Sequence, residues 1–262
     1  MTPKLYEARS AHQIESISQF GQLPSPVIQT LSLEFKGVVS DYLFLKTMTF
    51  MGKKIIEKEK PSSNDWHLIH QMLEKITDLD PLFWDPYVFA ETMLAWQGSM
   101  LKEANALLQK AAMHRQHDFR PLYFLSFNHF FFQKDFVAAA KYLGEASRRP
   151  GAPPYLIALA ARLNLYGDKT KTGIVFLKDT LHHITDPKTR HYLKKRLITL
   201  EIIDSLEEEL RKYQRDKHMR PQSLDQMVKE GYLPEIPKDP YGGKFVLLKN
   251  GRVYTTSKMV EK

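Results

Sequence analysis

A mainly α-helical repeat fold closed by a small α+β hairpin module is what this sequence predicts, and three observations predict it. Four apolar helix pairs recur with a period near 34 residues, one long helix follows them, and the chain ends in a stretch with strand and turn chemistry. Boundaries follow from these features: an N-terminal segment at 1–29, repeats over 30–186, a capping helix over 187–220 and a hairpin module over 221–262.

The repeat is visible when four segments are superimposed: HLIHQMLEKITDLDP, LKEANALLQKAAMHR, FVAAAKYLGEASRRP and TKTGIVFLKDTLHHI. A small or aliphatic position falls at Ile69, Ala104, Ala139 and Gly173, with successive differences of 35, 35 and 34. A bulky position follows four later at Leu73, Leu108, Leu143 and Leu177, and another three beyond at Ile76, Ala111, Ala146 and Thr180. Steps of four and then three place all three positions on one helical face, as a helix packing against neighbours requires. Each segment is preceded by an apolar helix, and Gly98 and Gly167 stand in the turns between paired helices. A helix-turn-helix unit of this length, with small, bulky and small residues on its second helix, resembles the tetratricopeptide repeat over roughly residues 30 to 184. Pro81 matches that family's closing proline, and Ala160 and Gly167 fit small positions; its Trp and Tyr landmarks are mostly replaced by other apolar residues. The resemblance implies a solenoid whose first helices line a concave groove.

After Pro187 one long helix runs to about Arg220, with Leu193, Leu197, Leu200, Leu210 and Tyr213 along its face, and it can cap the last repeat. Beyond it, Asn250-Gly251 is a strong hairpin signal, because both central residues of a type I′ turn need positive φ. Residues 244–249 and 252–256 are therefore predicted to pair as antiparallel strands, with Leu248 facing Val253 and Leu247 facing Tyr254. Pro221, Leu224, Gly231, Tyr232, Pro237, Asp239, Pro240, Gly242 and Tyr254 fall in an order that resembles the C-terminal half of the major pseudopilin of type II secretion systems. That resemblance covers about residues 197 to 257. It lacks the pseudopilin's apolar N-terminal helix, so it implies a borrowed module and an envelope context, not a filament subunit.

Composition excludes some chemistry. With no Cys, disulfides, thiol catalysis and Cys-ligated zinc are ruled out. Lys and Arg outnumber Asp and Glu by 38 to 30, an excess that favours an acidic partner, an anionic surface or a nucleic acid. No run approaches the roughly 20 apolar residues of a membrane helix, and the first sixteen residues lack the apolar centre of a signal peptide; a native N-terminal signal or anchor outside this sequence is left open. The His67/His70 and His114/His117 pairs lack carboxylates at a metal-binding spacing, and no nucleophile and base can be paired. No enzyme, metal or cofactor is expected.

Two surface features remain. YFLSFNHFFF, residues 123–132, holds more aromatic rings than one buried stripe needs, so a protein-binding groove is expected from Trp96, Phe124, Asn128, Phe131, Ile157 and Asn164, taking an extended peptide or helix. Lys194, Lys195 and Arg196 form a candidate basic patch. The expected function is a non-enzymatic interaction scaffold or adaptor of a bacterial envelope or secretion assembly, on the periplasmic side, with the cytoplasm left open. The alternative is a helical-repeat nucleic-acid binder using its basic surplus; it predicts Lys and Arg along the groove helices, which instead are aromatic and nearly uncharged.

Overall fold

A computed structural model describes residues 23–257 and 259. The first 22 residues, most of the expected N-terminal segment, lie outside them. The described chain is mainly helical. It comprises α1 (Ser25–Ser32), α2 (Lys36–Ile56), α3 (Ser63–Leu79), α4 (Asp85–Ala90) continuing as a π-helical turn (Glu91–Ala95), α5 (Leu101–His114), α6 (Arg120–Phe131), α7 (Phe136–Ser147), α8 (Tyr155–Tyr166), α9 (Thr170–His183), α10 (Pro187–Lys217) and α11 (Leu224–Lys229). The strands β1 (Phe245–Leu247) and β2 (Val253–Thr255) close it. No described helix is long and apolar enough to cross a membrane.

Local chemistry explains the helix starts. Ser62 and Asp65 form a reciprocal capping box at α3. Asp135, Asp186 and Ser223 each accept a backbone N–H at the starts of α7, α10 and α11. The turns between paired helices hold a finding the sequence concealed. Ser99, Lys134 and Asp168 carry positive φ there, and Gly98 and Gly167 do not. The glycines serve close packing: a Cβ on Gly98 would lie 3.1 Å from the Trp66 ring, and one on Gly167 would lie 3.0 Å from Val137.

The chain divides into two compact units, one ending at Asn128 and one starting at His129, with α6 running through the division. In the first unit α2 packs on α3, and α4 on α5; in the second, α8 packs between α7 and α9, and α9 packs on α10. The aligned small and bulky positions are buried in both units, with Ile69, Ala104 and Ala139 at most 1% exposed, while Thr180 is half-buried.

The last repeat, the long helix and the hairpin module share one core. Leu177 and Leu181 of α9, Leu193 and Leu200 of α10, Met227 of α11 and Phe245 and Val253 of the strands belong to one apolar cluster. The hairpin register differs from expectation by one residue. Phe245 pairs with Thr255, Val246 with Tyr254 and Leu247 with Val253. The Leu248 N–H donates to Arg252 O across a three-residue loop, in which the Gly251 N–H donates to Leu248 O and the Arg252 N–H to Asn250 Oδ1. Only Gly251 has positive φ, at 83°, so the turn is a type I turn followed by a left-handed glycine, and not type I′.

Candidate functional site

The π-helical turn shapes the site in the first unit. An α-helix brings residues three and four apart onto one face, but a π turn brings i and i+5 into register. Here that aligns Glu91 with Trp96. The wider turn is closed by Gly98 N–H donating to Met93 O at 2.8 Å and Met100 N–H to Leu94 O at 2.8 Å. Glu91 is 2% exposed, and its carboxylate is bonded by the Trp96 side chain and by the Asn128 amide, at 2.8 Å for the latter. Burial pushes the Glu91 carboxyl above its ordinary range, against those two hydrogen bonds. Glu91 Oε1 and Asn128 Oδ1 are both buried acceptors without a hydrogen-bond partner among the described residues. A proton on Glu91 would supply a donor to this acceptor-rich pair, in keeping with the direction of its shift.

Above this buried cluster lies an aromatic face. The Trp96 ring is 51% exposed and stacks on Phe127, with centroids 6.0 Å apart and planes at 27°. Three residues back on α6, Phe124 is half-buried, 6.1 Å from the Trp84 ring. The guanidinium groups of Arg120 and Arg115 lie 4.7 and 5.3 Å from the Trp84 centroid, within cation–π range. Asp118 holds both, at 2.7 Å from each. Although burial acts the other way, hydrogen bonds from the Arg120 side chain and backbone and from Arg115 bring the Asp118 carboxyl down to about 2.

That shift makes a stability prediction. A carboxyl depressed in the folded state stabilises the fold above its unfolded value near 4, and the contribution is lost as pH falls toward the folded value near 2. Asp118→Asn should therefore cost roughly 1–3 kcal/mol at neutral pH, and the gap from wild type should close between about pH 4 and pH 2. Urea unfolding across that range, followed by tryptophan fluorescence, measures it; a gap that does not change with pH would contradict the assignment.

The other expected groove residues fare differently. Asn128 is fully buried and its amide is committed to Glu91 and to Asn105, each at 2.8 Å, so it is a structural residue and not a donor for a bound backbone. In the second unit Ile157 is buried in the core, and Asn164 is buried with its amide donating to Ala160 O at 3.1 Å. Helices that pack on both sides leave these positions no open face. Phe131, also in the second unit, is 41% exposed, with its ring edge-on to Phe132 and the Lys134 ammonium 5.1 Å from its centroid.

The basic triplet does not form one patch. Lys194 is exposed and Lys195 is half-buried with its ammonium 4.8 Å from the Tyr241 ring. Arg196 is buried, donating to the Met259 carbonyl beside the same ring. Successive helical residues point about 100° apart, so three in a row cannot share a surface. A feature the sequence reading missed is a cleft of about 620 Å³ in the second unit, between the start of α9 and the middle of α10. Lys171, Arg211 and Lys212 line it together with Asp204, Glu207 and Glu208, and Lys171 pairs with Glu208 at 2.8 Å. Its charges answer one another and select neither anion nor cation. Among the described residues no group of three or more His, Asp or Glu side chains is arranged to hold a metal ion.

Comparison of the chain with family models, curated proteins and solved structures found no match.

Proposed function

We propose that this chain is a non-enzymatic protein-interaction scaffold that docks its partner on the aromatic face of the first unit. The observation that carries the reading is Trp96: a half-exposed indole held from below by a buried carboxylate and from the side by Phe127. A large ring fixed before binding loses little entropy on contact, which is the property of an interface anchor. Arg120, over the ring of Trp84, adds the other side chain enriched at such anchors. The helix pairs are read as degenerate tetratricopeptide repeats, and the pseudopilin-like order of residues near the C-terminus supports reading the assembly as one of a bacterial envelope or secretion system. A nucleic-acid reading loses ground because Arg196 is buried and the acidic residues of the cleft answer its basic ones.

The test is capture of envelope proteins on immobilised wild-type chain and on a Trp96→Ala, Phe127→Ala variant of matching circular dichroism. A partner identified on the wild type should bind the variant more than about 30-fold more weakly, equivalent to roughly 2 kcal/mol, with little dependence on salt. Equal binding by the variant would remove this face from the function. Salt-steep binding of duplex DNA or RNA that the two substitutions leave unchanged would favour the nucleic-acid alternative.

A further inference from the structure

Helix α2 has two apolar faces, and among the described residues only one of them is covered. Leu43, Phe44, Thr47, Phe50 and Met51 are buried on the side that packs on α3. On the opposite side Phe35, Val38, Tyr42, Leu45, Thr49, Gly52 and Ile56 follow one another at alternating steps of three and four. The large apolar members of this series are 50% to 80% exposed. An apolar series at strict alternating spacing is the seam of a coiled coil, narrower than the face a helix turns toward a globular core. Helices that lie on membranes present a wider apolar face rimmed by basic residues, whereas this seam is flanked on one side by Glu34, Asp41 and Met48.

We propose that this seam is a self-association surface, on which α2 of a second copy lies antiparallel across a twofold axis. The size alternation of the seam residues argues for a second copy of this chain. In an antiparallel pair the seam positions meet in layers, and a twofold axis between Leu43 and Phe44 sets Phe35 opposite Gly52 of the second copy, Val38 opposite Thr49 and Tyr42 opposite Leu45. Phe35 then meets Gly52 at both ends, Val38 meets a Thr49 of similar size and Tyr42 and Leu45 fill the centre together, as interdigitated cores do, while Ile56 lies beyond these layers. Gly52 has the room this needs, since a Cβ built on it meets nothing within 4 Å. The flanks tolerate the pairing: Asp41 falls beside Met48 of the second copy and Lys46 beside Val39, so no like charges are opposed. The area is sufficient. A 21-residue helix is about 31 Å long. If the exposed Leu31 and Leu33 that precede it are counted, the apolar surface on offer is on the order of the ~800 Å² per partner of a standard interface.

Sedimentation equilibrium of the full chain at micromolar concentrations should show a dimer. Tyr42→Glu with Leu45→Glu should weaken self-association more than about 100-fold while leaving circular dichroism and the unfolding midpoint unchanged, because both side chains are exposed in the single chain. The absence of cysteine provides an independent arm. Single variants Tyr42→Cys and Leu45→Cys, mixed and mildly oxidised, should cross-link with each other much faster than either does alone. A wild-type chain that stays monomeric overturns the proposal, whether or not it binds phosphatidylglycerol vesicles. So does a dimer that survives the two glutamates, or one in which each cysteine variant cross-links best with itself.

Discussion

Replacing Arg252 with Ala should destabilise the second unit by about 3–5 kcal/mol, the largest effect expected of any single substitution in this chain. Arg252 stands at the end of the hairpin loop, yet its guanidinium turns inward. Its Nε donates to Glu207 Oε1 at 2.7 Å, Nη2 donates to Leu165 O and Thr170 Oγ1 at 3.2 and 3.3 Å, and Nη1 pairs with Asp168 at 2.6 Å. The side chains of Arg252 and Glu207 are only 15% and 7% exposed. Removing the cation leaves a buried carboxylate whose one remaining donor here is the Val253 N–H, at 3.3 Å. The cost is that of an uncompensated charge. A paired replacement, Arg252→Met with Glu207→Leu, should therefore recover most of the loss, since no charge is then left behind. Urea unfolding of the three variants decides it. A single-variant loss below about 1 kcal/mol would show that the pair is peripheral to the fold.

The second large effect is expected at Gly173. Its position in α9 faces α8 and α10 so closely that a Cβ would lie 3.1 Å from Ala161 O, 3.2 Å from Asn164 Cβ and 3.4 Å from Leu200 Cδ1. Backbone oxygen cannot yield, so Gly173→Leu must push helices apart, at a cost of about 3 kcal/mol, the upper end of ordinary overpacking. Gly144 in α7 is the matched control. A Cβ there meets only the Phe176 ring, at 3.6 Å, and alanine is the better helix former, so Gly144→Ala should be neutral or stabilising by up to about 1 kcal/mol. Thermal unfolding of both variants tests the pair; similar midpoints would mean that the helices at Gly173 are free to separate.

These residues also show what could be read from the sequence alone. The series Ile69, Ala104, Ala139 and Gly173 was legible because burial follows from spacing, and spacing is written in the chain. The small size of its later members forecast close helix approach, which Gly173 displays. The aromatic excess at 123–132 was legible as well. What lay beneath it was not, because the commitment of Asn128 depends on a π turn that residue preferences do not signal. A clue did exist: Glu91 is the one charged residue between Pro86 and Gln97, five residues before Trp96. The hairpin slipped by one residue because Lys249-Asn250-Gly251 suits a three-residue loop as well as Asn250-Gly251 suits a two-residue one. The side chain of Arg252 then tips the choice by reaching Glu207. The basic triplet was misread for a reason available at the outset, since helical geometry already separates three consecutive residues.

The shared apolar cluster of the second unit bears on how the protein is made. A chain leaves the ribosome from its N-terminus, and domains fold as units once their parts are present. The first unit ends at Asn128, so all of its residues are joined before those of the second. In the second, Leu177, Leu193 and Leu200 share their core with Phe245 and Val253, which are joined well after them. Until they emerge, α9 and α10 present an apolar surface with no cover, so this stretch of nascent chain is where a holdase would bind and where premature termination would leave an aggregation-prone product.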